Sequence, residues 1–216
     1  MKTDLLWVYE GLTEYYGSVL GARSGLWSVK EYRGHLASVA ASLDHRPGRK
    51  WRPARIQRTS RRSSTTRDSA GHGRPRRREV DFATKGMLIW LEADVLIRSQ
   101  TGGKKSLDDF ANSFTAGGIG LAAVNPYTFD EVVKTMNAVS AHDWKAFFTE
   151  RLTATGPHAP LGGITESGWK LEYTDKRTNT SPPRGFEEAD RPQLFPRTVA
   201  EGRWGSAGRD AGHVRV

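Results

Sequence analysis

The chain of 216 residues contains no cysteine. It can therefore form neither a disulfide nor a thiolate metal site, and this absence is compatible with any cellular compartment. No run of 18 apolar residues occurs, and the first residues lack the charged-then-apolar pattern of a signal peptide. We expect no membrane span and no leader in this sequence, and its localisation stays open.

Histidine is scarce and poorly placed for metal chemistry. No two of the six histidines stand four residues apart, and none is followed by glutamate. The sequence therefore excludes the H-E-x-x-H motif, in which two histidines bind zinc and the glutamate is the general base. The histidines are His35, His45, His72, His142, His158 and His213.

Acidic and apolar residues are nearly missing from residues 52–79. This stretch holds ten of the arginines against two acids, and Ile56 is its single aliphatic residue. Such a composition cannot bury enough surface to offset its ordering entropy, which predicts a disordered basic insert over 54–79. Arginine-rich segments attract phosphates, but stacking aromatics and a patterned recognition helix are absent here. We therefore expect no specific nucleic-acid binding.

Residues 177–216 have a similar composition, which predicts a disordered tail. A patternless amino-acid sequence rich in Arg, Ser and Gly is also what results when a GC-rich gene is translated in a wrong reading frame. Our hypothesis is that 54–79 and 177–216 are frame-shifted or degenerate sequence. A repeat sequencing that reproduces this frame would remove that explanation.

The remaining chain is patterned as helices, which predicts a mainly α fold. Capping boxes at Ser28–Glu31 and Thr128–Glu131 mark helix starts, and Ser140–Asp143 is assigned as a third start. Residues 86–99 are apolar nearly all round, which indicates a buried central helix. The predicted units are a helical body of residues 1–53 and 80–160, followed by a short strand and linker at 161–176.

Several charged residues of this body have ordinary structural interpretations. Glu92 and Asp94, on the predicted buried helix, are assigned to ion pairs with Arg98 or Lys85. His142 is interpreted as an exposed residue of a helix's first turn rather than as a metal ligand.

The segment 7–16, W-V-Y-E-G-L-T-E-Y-Y, carries the strongest functional signal. Apolar residues recur around it at three- and four-residue steps, which predicts a helix. Glu10 and Glu14 stand one turn apart on that helix, among aromatic residues. A carboxylate in such surroundings is costly unless it is paired, hydrogen-bonded or bound to a metal.

This segment resembles the glycyl aminopeptidase family of thermolysin-like zinc metallopeptidases, whose members also carry a PDZ domain. The likeness runs from the segment to Pro53, where R-P-G-R-K-W-R-P is typical, and resumes from Gly86 to about Leu171. The resemblance implies the helical C-terminal lobe of a thermolysin-like domain and a peptide substrate. It also implies that Glu10 matches the third zinc ligand. Glu14, one turn on, is interpreted either as an acid that orients a ligand or as a solvated or lysine-paired acid.

The departures from the family are equally specific. Two histidine ligands and the general base are missing, so we expect a truncated remnant that binds no zinc tightly and is inactive as this chain. Ala83 stands where relatives show a tyrosine that donates a hydrogen bond to the oxyanion. Without the partner lobe, Trp7 and Tyr15 are expected to lack neighbours. The alternative is a small helical interaction module whose basic loop binds acidic partners or nucleic acid.

Overall fold

The computed structural model describes residues 5–44, 81–115, 126–154, 158–174 and 195–201. Within these ranges the fold is mainly α, as the sequence predicts. The helices are α1 (Leu6–Arg23), α2 (Val29–Asp44), α3 (Asp81–Thr101), α4 (Leu107–Thr115), α5 (Phe129–Val139), α6 (Trp144–Thr153) and α7 (Gly162–Glu166). The strands are β1 (Trp169–Thr174) and β2 (Phe195–Glu201).

Helix α3 is the centre of the packing. Its apolar side chains point in nearly every direction, and Leu88, Ile89 and Trp90 are almost completely buried. It contacts α1, α2, α4 and α7, so each of its faces meets another element. The predicted buried central helix is therefore confirmed, and it begins at Asp81, five residues before the apolar stretch.

Helices α1 and α3 approach each other at the backbone. A Cβ atom built on Gly11 would lie 2.7 Å from the Cα atom of Gly86, and one built on Gly86 would lie 2.8 Å from the carbonyl oxygen of Trp7. Real Cβ atoms are not found so close to backbone atoms, so both positions need glycine. The contact fixes where α1 crosses α3.

Aromatic rings fill the space around this crossing. Trp90 of α3 stacks on Trp7 with ring centroids 5.5 Å apart and on Phe110 at 5.3 Å, while Phe148 of α6 closes the cluster. Trp7 and Tyr15 are both buried. The expectation that these two residues lack neighbours is wrong, because α3 and α6 supply the contacts.

The helix starts follow the side-chain chemistry of the sequence. Thr128 and Glu131 form the predicted capping box, and Glu131 also accepts from the backbone N–H of Thr128 at 2.6 Å. Glu31 and Ser28 exchange the same bonds at α2. The third start is one turn later than predicted, because Asp143, rather than Ser140, accepts the hydrogen bond from the N–H of Ala146.

The C-terminal part differs most from the prediction. The strand expected at 169–173 is present as β1, but α7 was not predicted, because two glycines make Gly162–Glu166 a poor helix former. Strand β2 pairs antiparallel with β1 and lies within 177–216, where we predict a disordered tail. The sequence gives little sign of β2, since Pro196 interrupts its apolar alternation.

The predicted basic insert 54–79 lies outside the described residues, as does most of the predicted tail. Among the helices that the structure describes, none combines the length and apolarity that a bilayer span requires.

Candidate functional site

Glu10 lies on α1 beside the crossing with α3. Its neighbour Gly11 faces α3, whereas Tyr9, on the other side, is 63% exposed. The Glu10 side chain is half-buried at the edge of the exposed face of α1. It has no hydrogen-bond or ion-pair partner among the described residues. The described contacts of the fold therefore hold α1 in position without involving the Glu10 carboxylate.

Glu14 follows one turn later on α1 and is exposed. Its backbone carbonyl accepts a hydrogen bond from the hydroxyl of Ser18 at 2.9 Å. Helical geometry puts Glu14 and Glu10 on the same side of α1, as the spacing predicts. Their assignment as a zinc ligand and its orienting neighbour stays a prediction.

The described histidines are each engaged elsewhere in the fold. His35 of α2 lies 3.1 Å from the hydroxyl of Ser18 and packs on Trp27, and burial lowers its pKa. His142 lies just before α6 against Trp144, and His158 lies beside Asp44. In the part of the chain that the structure describes, no three His, Asp or Glu side chains form a group that could hold a metal ion.

Ala83 lies in the first turn of α3 and is half-buried. Its methyl group cannot donate a hydrogen bond, so no oxyanion donor comes from this position. The side chain two residues later, Lys85, is buried. The correspondence of Ala83 to a family tyrosine stays a prediction.

Asp94 connects three helices through its carboxylate. Its Oδ2 accepts from the hydroxyl of Tyr15 (2.8 Å) and from the Nε–H of Arg98 (2.8 Å), and its Oδ1 accepts from the backbone N–H of Leu107 (2.7 Å). The predicted pair with Arg98 is confirmed. Burial, followed by the negative charge of Asp94, raises the pKa of Tyr15. A buried tyrosine hydroxyl needs a partner, but the sequence could not indicate which one.

Glu92 has a different partner from those that were predicted. It accepts two hydrogen bonds from the guanidinium of Arg151 on α6, with the Nε–Oε2 distance at 2.9 Å. The assignment of Glu92 to Arg98 or Lys85 is therefore wrong, because its side of α3 faces α6 and α7. A Cβ atom on Gly162 would collide with the Glu92 carboxylate, so this glycine makes room for the ion pair.

A groove of about 940 Å³ lies between α1, α4 and α5. Its walls combine aromatic rings with a few hydroxyl and charged groups, and Tyr9 and Thr13 border it on α1. Nearness to Tyr9 adds to burial in raising the pKa of Tyr127. Glu10 does not line the groove. The other principal lining residues are Val8, Leu12, Tyr16, Phe114, Tyr127, Glu131 and Lys134.

Comparison with known families agrees with the resemblance seen in the sequence. A model of the M61 glycyl aminopeptidase family matches residues 1–89. The match contains Glu10, Glu14 and Ala83, and it ends inside α3. The resemblance is therefore confirmed over this range, and the chain is related to a peptidase family there. No curated protein matches the chain.

Proposed function

We propose that this chain is the helical lobe of an aminopeptidase-type zinc metallopeptidase, with Glu10 at the position of a metal ligand. The activity implied is hydrolysis at peptide N-termini. By itself the chain is a remnant without that activity, because the two histidine ligands and the general base are missing from its sequence.

The observation that supports the proposal is that α1 is held in place by contacts in which its residue Glu10 takes no part. Helix α1 is held firmly, by the Gly11–Gly86 contact and by the hydrogen bond from Tyr15 to Asp94. Glu10 takes part in neither contact, although a half-buried carboxylate is normally paired. A fixed helix that presents an unused carboxylate is the arrangement that a ligand position requires.

The described residues do not supply a set of protein ligands that fits zinc. A catalytic zinc site takes three protein ligands, and Glu10 is one carboxylate without a histidine beside it. No step of a hydrolytic mechanism is therefore assigned to these residues.

Equilibrium dialysis with zinc at neutral pH tests the isolated chain. We expect no stoichiometric binding at micromolar zinc, and no difference between the wild type and Glu10→Gln. Asp130→Asn serves as a control, because Asp130 is an exposed acid whose one ion pair, with Lys145, is also exposed. Micromolar binding that disappears only in Glu10→Gln would show that this chain completes a site itself.

A chimaera tests the ligand role directly. The H-E-x-x-H-bearing segment of a glycyl aminopeptidase is joined to the N-terminus of this chain. We expect zinc binding and peptide hydrolysis that are lost in Glu10→Gln and retained in Asp130→Asn. A chimaera that melts cooperatively but binds no zinc would contradict the proposal.

The second candidate is a small helical interaction module. Its predicted basic loop lies outside the described residues, and the groove between α1, α4 and α5 is the observation that favours a different binding surface. Its aromatic walls suit a peptide with apolar side chains. Isothermal titration calorimetry with the dipeptide amide Gly-Phe-NH₂ tests this function. Saturable binding should be lost in Ala138→Arg, which fills the groove, and kept in Ala146→Arg, an equally exposed change on α6. Equal binding by both variants would exclude the groove.

A further inference from the structure

The carboxylate of Asp44 accepts hydrogen bonds from a distant part of the chain. Its Oδ2 accepts from the hydroxyl of Tyr173 at 3.0 Å, and its Oδ1 accepts from the backbone N–H of Ala159. The Nδ1 atom of His158 lies 3.6 Å from the same carboxylate, whose side chain is only 10% exposed. All three partners belong to the segment 158–174.

The position of Asp44 is unfavourable for its own helix. It is the last residue of α2, and the final turn of α2 contains no basic residue. The negative end of the helix macrodipole disfavours a carboxylate there. The stabilising contribution of Asp44 therefore comes from its contacts with the segment 158–174 and not from α2.

Strand β1, which carries Tyr173, and its partner β2 have little stability of their own. The β1–β2 ribbon (Trp169–Thr174 and Phe195–Glu201) has only two strands, and its register is irregular between Lys170 and Glu172. A two-stranded ribbon is at best marginally stable in water. It lies against α2 through β2, and the guanidinium of Arg33 stacks 3.9 Å from the ring centroid of Trp169. Tyr173, at the other end of β1, is 37% exposed.

We infer that Asp44 is a latch that holds the β1–β2 ribbon against α2. When the latch is released, the ribbon opens as a unit and uncovers the side of α2 on which β2 lies. We expect the helices to remain folded during this opening, because the described ring contacts of Trp90 are with other helices. Trp169 and Leu171 of β1 are only partly buried where they pack against the hydrophobic core. The opening is a local conformational change that is built into the fold.

Hydrogen exchange on the full chain tests the latch. Asp44→Ala removes both accepted hydrogen bonds, and Tyr173→Phe removes only the hydroxyl. In Asp44→Ala the amides of β1 should exchange at least about tenfold faster, since hydrogen bonds to a charged group are lost. The α2 amides should keep or gain protection, because alanine is the better helix former and carries no opposing charge. Tyr173→Phe should change β1 in the same direction by a smaller factor.

Opposite responses of β1 and α2 distinguish a latch from general destabilisation. Asp130→Ala, in which an exposed acid is removed from α5, should leave both elements unchanged. Unchanged β1 exchange in both Asp44→Ala and Tyr173→Phe would overturn the inference. A parallel loss of protection in β1, α2 and α3 would overturn it as well, because Asp44 would then support the whole fold.

Discussion

The crossing of α1 and α3 makes a sharp prediction for Gly11→Ala. The new methyl group would lie 2.7 Å and 2.8 Å from backbone atoms of Gly86 and 3.0 Å from Cδ1 of Trp90. Backbone atoms cannot turn aside as a side chain can, so α1 must shift away from α3. Overpacking of this kind costs about 1–3 kcal/mol. The better helix propensity of alanine offsets up to about 1 kcal/mol of that cost.

We therefore expect Gly11→Ala to be about 1–3 kcal/mol less stable than a glycine-to-alanine change in the same helix that gains propensity without overpacking, measured from urea unfolding followed by tryptophan fluorescence. Gly17→Ala is the matched control in the same helix. Nothing lies within 4 Å of its built Cβ atom, so only the propensity gain applies. This control should gain up to about 1 kcal/mol. A Gly11→Ala protein as stable as Gly17→Ala would refute the backbone contact.

Three further predictions concern buried polar groups and a helix cap. Tyr15→Phe should lower the free energy of unfolding by roughly 1.5–3 kcal/mol in urea, because Asp94 loses one of its donors; Tyr9→Phe, at an exposed ring, should change it by less than about 0.5 kcal/mol. Thr128→Ala should cost about 1 kcal/mol in the same assay through loss of the N-cap, and a neutral result would contradict the capping geometry. Burial lowers the pKa of His35 in the folded state. The unfolded chain therefore binds a proton at His35 more readily than the folded chain does. The folding stability that comes from this difference is present above the unfolded pKa of about 6.5 and should be lost as the pH falls through the lower folded-state pKa. The melting temperature of His35→Gln should fall less between pH 7 and 5, and an identical fall would show that His35 is not responsible.

The local parts of this fold were predictable, because they depend on nearby residues. A capping box such as Thr128–Glu131 is complete within four residues, and the apolar stretch at 86–99 indicates burial whatever it packs against. Partner choice was not predictable in the same way. Glu92 meets Arg151, 59 residues away, and only the three-dimensional packing of α6 on α3 brings them together.

The candidate site also combines features that could be predicted from nearby residues with features that depend on the three-dimensional packing. Glu10 could be placed on a helix from its periodicity, and the ten consecutive residues around it indicated the family whose model matches residues 1–89. Its role as a metal ligand stays a prediction. The sequence could not show that Trp7 is covered, because Trp90 and Phe148 reach it from other helices. It also could not show that Tyr9 and Leu12 border an open groove.

The stacked pair of Trp7 and Trp90 has an optical consequence. Their rings lie 5.5 Å apart at an interplanar angle of 22°, close enough for their electronic transitions to couple. The two residues stand on different helices and far apart in sequence, so the coupled circular-dichroism signal exists only while α1 crosses α3. The molecule therefore carries an intrinsic spectroscopic reporter of the helix pair that positions Glu10.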